Sequence, residues 1–262
     1  MIETIQKYNI KAKKGLQNFL IHEETLDNIA LLTEIYENII EVPFGVLTEK
    51  ILYKNPLSLT LIELDRDMIN IINTRIEKNE IDITQTSHFQ IINQDILKTE
   101  IKYDNYKVIA NIPYYITSPI LFRFLYELKN KPKTMIILMQ KEVEKIVSYK
   151  SSFLSLYITK KSKATLEISV PKNYFYPAPK VDSVVLKFEL IDNYNHIDDD
   201  IFLSFIKDAF SAPRKKLVNN LSKYDKTKIL NILLKMYNEN TRAEELNLDN
   251  YINMLKIITE KY

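Results

Sequence analysis

Over the first two-thirds of the chain, short apolar runs alternate with amphipathic stretches. Ile39-Ile40-Glu41-Val42, Leu59 to Asp65, His88 to Ile92, Val108 to Ala110 and Thr134 to Met139 read as buried strands. Between them lie stretches with helical spacing. Residues 23–37 carry Leu26, Ile29, Leu32 and Ile35 on one face, and Glu49 to Tyr53, Met68 to Glu77 and Ile120 to Leu128 follow. Gln140 to Val143 opens a further helix. Leu154 to Ile158 and Ala164 to Val170 read as strands by alternation and β-branching, and Val184 to Phe188 as a last strand. Strands alternating with helices predict an α/β fold. From Ile191 to Asp200 the sequence turns polar and reads as a linker, and residues 201–262 are helical by pattern. The expected organisation is an α/β domain over 1–190, a linker over 191–200 and a small helical domain over 201–262.

One stretch stands out from this pattern: Val108-Ile109-Ala110-Asn111-Ile112-Pro113-Tyr114-Tyr115-Ile116-Thr117-Ser118-Pro119-Ile120. The apolar run stops at Asn111, and Pro113 prevents a simple continuation of either sheet or helix. A carboxamide, a fixed turn and an aromatic ring are delivered together at a strand's C-terminal end, where open α/β sheets bind their ligands. These groups suit an exocyclic amine on a planar base. The Asn111 side-chain oxygen and a backbone carbonyl can accept from the amine while Tyr114 stacks on the ring.

Composition narrows the classes. Zero Cys excludes a disulfide framework, a cysteine nucleophile and any Cys-based metal site, and three His without paired spacing argue against zinc. No run is long and apolar enough to span a membrane and no signal-peptide pattern is present, so a cytoplasmic protein without membrane contact is expected. A net charge of +2 means that any nucleic-acid surface must be a local patch. Two such patches exist. Lys7, Lys11, Lys13 and Lys14 make a basic N-terminal arm, either a phosphate contact or a solvated segment, and Arg214-Lys215-Lys216 is a compact basic run.

Asn-Ile-Pro-Tyr followed by Ile-Thr-Ser-Pro-Ile resembles the target-amine motif of adenine-N6 methyltransferases, and more narrowly of the ribosomal RNA adenine dimethyltransferases. Further matches fall in family order along nearly the whole chain. They are Gln17-Asn18-Phe19-Leu20, the acidic strand end at Glu41 with Gly45 and Leu47-Thr48 after it, Glu63, Asp95, Phe175-Tyr176-Pro177-Ala178-Pro179-Lys180-Val181-Asp182-Ser183, and Ala209 to Leu221 with its Arg-Lys-Lys. The resemblance implies a Rossmann-like class I methyltransferase domain with a small C-terminal helical domain. It implies S-adenosylmethionine held by Asn18, Leu20, Glu41, Gly45, Glu63, Asp95 and Asn111, with Glu63 on the ribose and Asp95 on the adenine amine. Asn111 and Tyr114 would receive the target adenine, with Phe175 facing Tyr114 across it. Lys11, Lys13, Lys14, Arg214, Lys215 and Lys216 would contact RNA. The implied reaction is dimethylation of the N6 amines of two adjacent adenines near the 3′ end of small-subunit ribosomal RNA. The partner would be that RNA or a pre-ribosomal particle, the protein a monomer, and no metal is required.

The cofactor loop departs from the family. Two Gly in 262 residues is far below the usual ~7%, and of the glycines expected after Glu41 only Gly45 is present. One Gly between Val42 and Pro43 and one between Pro43 and Phe44 give Glu-Val-Gly-Pro-Gly-Phe-Gly-Val-Leu-Thr, the full family motif. One between Leu16 and Gln17 likewise restores the N-terminal signature. Either the loop is truly contracted, with Pro43 and Phe44 obstructing the site, or the molecule carries glycines at these three steps. The contracted loop supports a second reading, an RNA-binding ribosome assembly factor with impaired catalysis. A third is a large-subunit methyltransferase of the macrolide-resistance type, against which the Phe-x-Pro-x-Pro-Lys-Val-Asp-Ser run and the basic tail weigh. A nucleotide-binding enzyme unrelated to RNA is opposed by the same tail.

Overall fold

The computed structural model describes residues 2–10, 12, 17–43, 45, 47–147 and 151–259, with the backbone alone for 114, 144, 145, 147 and 236. In chain order the strands are β1 (Phe19–Leu20), β2 (Asn38–Val42), β3 (Ser58–Glu63), β4 (His88–Asn93), β5 (Tyr106–Asn111), β6 (Thr134–Gln140), β7 (Ser162–Val170), β8 (Phe175–Tyr176) and β9 (Ser183–Leu190). The helices are α1 (Ile2–Lys7), α2 (Glu23–Ala30), α3 (Leu47–Leu52), α4 (Arg66–Glu77), α5 (Thr117–Phe122), α6 (Phe153–Lys161), α7 (Asp199–Ala209), α8 (Leu217–Asn220), α9 (Lys226–Met236) and α10 (Leu248–Thr259).

A seven-stranded sheet runs in the order β4-β3-β2-β5-β6-β9-β7. The pairs from β4 through β6 are parallel, and β9 runs antiparallel to β6. Strands β2, β3, β5 and β6 are almost wholly buried, which is why their sequences read as continuous apolar runs with little alternation. The strand order reverses between β2 and β5, and such a switch point opens a crevice at the carboxyl ends of the strands. The α/β class expected from the alternating pattern is the one observed.

The chain forms two compact units: residues 1–144 with 165–189, and residues 145–164 with 190–262. In the first, the sheet and its helices share a core that includes Ile39, Leu59, Leu61, Ile109 and Ile136. In the second, Phe202, Phe205, Ile206, Leu233, Tyr251 and Leu255 are buried among the helices. The ammonium of buried Lys160 donates to the Ile197 carbonyl at 2.8 Å, pairs with Asp199 and lies 5.3 Å from the Phe202 ring centre.

Three local expectations are corrected. Leu154 to Ile158 belongs to a helix, not a strand. Ser152 and Ser155 form a reciprocal cap at its start, and Leu156, Tyr157, Ile158 and Lys160 are all buried, so no one-sided stripe exists to betray the helical period. The helix expected over 23–37 ends at Ala30. Its terminal carbonyl is taken by the Thr33 hydroxyl at 2.6 Å, and Tyr36 turns the chain at a φ of 62°, which leaves Ile35 exposed. The helix expected over 120–128 starts earlier, at Thr117, and widens into a π turn over Arg123–Glu127.

Candidate active site

At the switch point the register sets Glu41 beside Ile109 and Val42 beside Ala110, while the end of β3 sets Glu63 beside Asn93. Side chains from four parallel strand ends therefore converge. They wall a cavity of about 570 Å³, within the usual range for a small-molecule site. Asn18 and Leu20 come from the N-terminal arm, Glu41 and Gly45 from β2 and its loop, Glu63 from β3, Asp95 from the turn after β4, and Asn111 from β5. Much of the remaining wall is apolar, with Ile62, Leu64, Met68 and Ile96 among its members.

Glu41 is the most perturbed group in this wall. It is buried, and its Oε2 accepts from the Thr48 hydroxyl at 2.7 Å, seven residues on at the start of α3. Burial pushes its carboxyl up to about 8, against the relief given by Thr48 and the Gly45 N–H, and nearby Glu63 and Glu49 push in the same direction. Between pH 4.5 and about 8 the folded protein thus holds a proton that the unfolded chain has released. Stability is lost as pH rises through that window, with no further change from this group above it. Glu41→Gln should remove that component. The variant is expected to match the parent near pH 4.5 and to be more stable at pH 8 by on the order of a few kcal/mol. Denaturant unfolding at both values checks this, and a parent profile that the substitution leaves unaltered contradicts it.

Glu63, also buried, accepts from the Asp65 N–H at 2.7 Å. Asn93 braces the same strand end by donating to the Glu63 carbonyl at 2.9 Å. Asp95 closes its own turn: its Oδ1 accepts from the Leu97 N–H, and its carbonyl accepts from Lys98 and Thr99. The Asn111 side chain is half-buried and forms no hydrogen bond among the described residues. Its carboxamide faces a chamber with both donor and acceptor to offer.

Not every predicted site residue meets here. Phe175 is buried in β8 opposite Leu20 and is absent from the cavity wall, because the β1–β8 ladder turns its ring into the core and leaves Tyr176 exposed. Tyr114 begins the 3-10 turn 114–116, and its ring lies outside what is described. Lys11, Lys13, Lys14, Leu16 and Phe44 also lie outside the described residues, so the Leu16–Gln17 and Pro43–Phe44 steps are not described. Pro43 forms part of the wall, and a Cβ built on Gly45 would meet nothing within 4 Å. Lys7 pairs with Glu80 at 2.7 Å. Arg214, Lys215 and Lys216 are exposed in the turn before α8. Two features of the site escaped the sequence reading. One is the hydroxyl of Thr48, which lies outside the cavity wall and donates to Glu41 within it. The other is Tyr115, a wall residue 66% exposed, two residues past Pro113.

The arm beside this cavity is fixed to the Pro-rich loop. Asn18 donates to the Pro177 carbonyl at 2.6 Å, Ile21 N–H to the Tyr174 carbonyl at 2.8 Å, and the His22 ring stacks on Tyr174 at 3.7 Å. Two segments that the sequence separates by about 150 residues are thereby one structural unit.

The fold is shared with solved structures. A dimethyladenosine transferase from Plasmodium falciparum superposes with a TM-score of 0.77 at 23% identity, covering 93% of this chain and 98% of that one. The 23S rRNA methyltransferase ErmE gives 0.72 at 18% identity, covering 92% and 99%. Sequence similarity is stronger. A protein of Fusobacterium nucleatum named ribosomal RNA small subunit methyltransferase A is 35% identical, with 94% of this chain and 96% of that protein aligned. A protein of the same name from Mycoplasmopsis pulmonis is 37% identical, over 92% and 97%. The family model described as ribosomal RNA adenine dimethylase matches residues 8–260, a span that takes in the strand-end carboxylates, the Asn111 turn and the exposed Arg-Lys-Lys. With a match of that extent, the chain belongs to the ribosomal RNA adenine dimethylase family.

Proposed function

We propose that this chain dimethylates the N6 amines of two adjacent adenines near the 3′ end of small-subunit ribosomal RNA, using S-adenosylmethionine. The observation that carries the reading is the convergence of Asn111 and Pro113 with Glu63 and Asp95 on one chamber at the sheet's switch point. The donor set fits the cofactor. A buried strand-end carboxylate, Glu63, suits a pair of ribose hydroxyls. Apolar side chains at 62, 64, 68 and 96 suit the faces of a purine, and Asp95 suits its amine. Glu41 supplies a carboxylate that a cationic ligand would draw into its charged form. S-adenosylmethionine, when bound, supplies the methyl group.

The protein's own part is to orient the acceptor. An adenine N6 lone pair is conjugated into the ring. The Asn111 carboxamide oxygen and a backbone carbonyl, accepting from the amine, favour a pyramidal nitrogen as positive charge develops. Holding that nitrogen near the methyl carbon accounts for most of the remaining acceleration. Tyr114 and Phe175 serve as the aromatic pair for the extruded base, and the latter needs a local rearrangement out of its buried position in β8. Lys11, Lys13, Lys14, Arg214, Lys215 and Lys216 contact RNA phosphates. The protein acts as a cytoplasmic monomer on ribosomal RNA or a pre-ribosomal particle. No helix among the described residues is long and apolar enough to cross a membrane.

The glycine-poor sequence of the loop favours one competing reading, an assembly factor that binds RNA without turnover. Calorimetric titration with S-adenosylmethionine separates the two. Saturable one-site binding supports the enzyme, and no heat at millimolar cofactor contradicts it.

A further inference from the structure

The turn that carries Asp95 and the helix that follows Asn111 are joined by a side chain that no strand-end motif contains. After β4 the chain makes the tight turn Asp95–Thr99. Its donors are consumed internally: Leu97 N–H goes to the Asp95 carboxylate at 2.9 Å, and Lys98 N–H, Thr99 N–H and the Thr99 hydroxyl all go to the Asp95 carbonyl at 2.8 to 2.9 Å. The carbonyls of Ile96 and Thr99 belong to buried residues. Both accept from Arg123. Its Nε–H donates to Ile96 O at 3.0 Å and its Nη2 to Thr99 O at 2.7 Å, while Nη1 pairs with Glu127 at 3.3 Å.

Arg123 lies just past the end of α5, which begins six residues after Asn111 and is anchored by buried Ile120 and Leu121. The helix widens into the π turn at Arg123 itself, and such turns recur at functional sites. The guanidinium therefore bridges the turn that carries Asp95 to the helix that continues from Asn111 and Pro113. A planar fork spans two carbonyls where a lysine ammonium would act as a single point charge.

We propose that Arg123 is a positioning residue that clamps the Asp95 turn against the helix following Asn111, so that cofactor affinity depends on a side chain outside the cavity wall. This rests on the reading of the chamber as a cofactor site. Loss of the fork takes from the part-buried carbonyls of Ile96 and Thr99 the donor they share and frees the turn to open.

The test uses the full chain, S-adenosylhomocysteine as the calorimetric probe, and three variants. Arg123→Met should weaken binding about tenfold, on the scale of one buried charge-assisted hydrogen bond. It should also raise the KM for S-adenosylmethionine with kcat nearly unchanged at saturation. In the free protein, the amides of Leu97, Lys98 and Thr99 should exchange faster with deuterium. Arg123→Lys should fall between Met and the parent. Glu127→Ala, which removes only the half-exposed outer partner, should bind like the parent.

Parent-like affinity and exchange in both Arg123 variants overturn the clamp, as does a fall in kcat without a change in KM. Should Arg123→Met fail to fold, Arg123→Lys decides alone. Weakened binding at a parental melting temperature supports the clamp, and parental affinity overturns it. If the parent itself binds no probe, the reading of the chamber falls and takes the clamp with it. Unaltered variants of a binding-competent parent overturn the clamp alone.

Discussion

Replacing Asn111 with Ala is expected to lower methyl transfer by about 10² to 10³, the usual cost of removing one preorganised group that stabilises developing charge. The fold should survive. Asn111 ends β5 in register with Leu138 through the backbone, which the substitution leaves in place. Its half-buried side chain forms no hydrogen bond among the described residues, so nothing in the core is orphaned by truncation. Cofactor affinity should change far less than turnover, because Glu63 and Asp95 remain. Radiolabelled methyl transfer to immature small subunits, with thermal unfolding alongside, measures both effects. Near-normal turnover in the variant contradicts the role given to the carboxamide.

The second large effect concerns RNA. Arg214, Lys215 and Lys216 are exposed together in a turn that the backbone holds firmly. Lys215 N–H donates to the Ala212 carbonyl at 2.9 Å, and the Asn220 amide donates to the carbonyls of Ala209 and Ala212. A fixed backbone presenting three cations suits a phosphate track. Changing all three to Ala should weaken RNA binding and reduce the slope of log affinity against log salt by about 2 to 3, since each phosphate contact releases condensed counterions. Binding of S-adenosylmethionine should not change. Filter binding or fluorescence anisotropy across a salt series reads the slope, and an unaltered slope means that the run is only a solvated face.

What could be read from the sequence was the part set by local rules. Apolar runs with Glu41, Glu63 and Asn111 at or near their ends announced the strands of an α/β fold, and Pro113 announced the turn. Helix α6 was not legible, because a helix buried on nearly all sides has no polar face and its Leu-x-Leu-x-Ile spacing imitates a strand. Thr48 on Glu41, the zipper of residues 18–22 onto 174–177, and Arg123 on the 95–99 turn were invisible for another reason. Each joins residues brought close only by the tertiary fold, so no periodicity or spacing encodes them. Phe175 shows the converse. Its motif was legible, but its place in a short antiparallel ladder, and hence its burial, was not.

The measurement that bears most directly on the central claim is methyl transfer to small ribosomal subunits that lack the modification, followed by nuclease digestion and mass analysis of the 3′ region. The expected result is N6,N6-dimethyladenosine at two adjacent adenines near the 3′ end, formed at the expense of S-adenosylmethionine and formed about 10² to 10³ more slowly with Asn111→Ala. Tight binding of the subunit with no methyl transferred, or methylation confined to large-subunit RNA, would contradict the account.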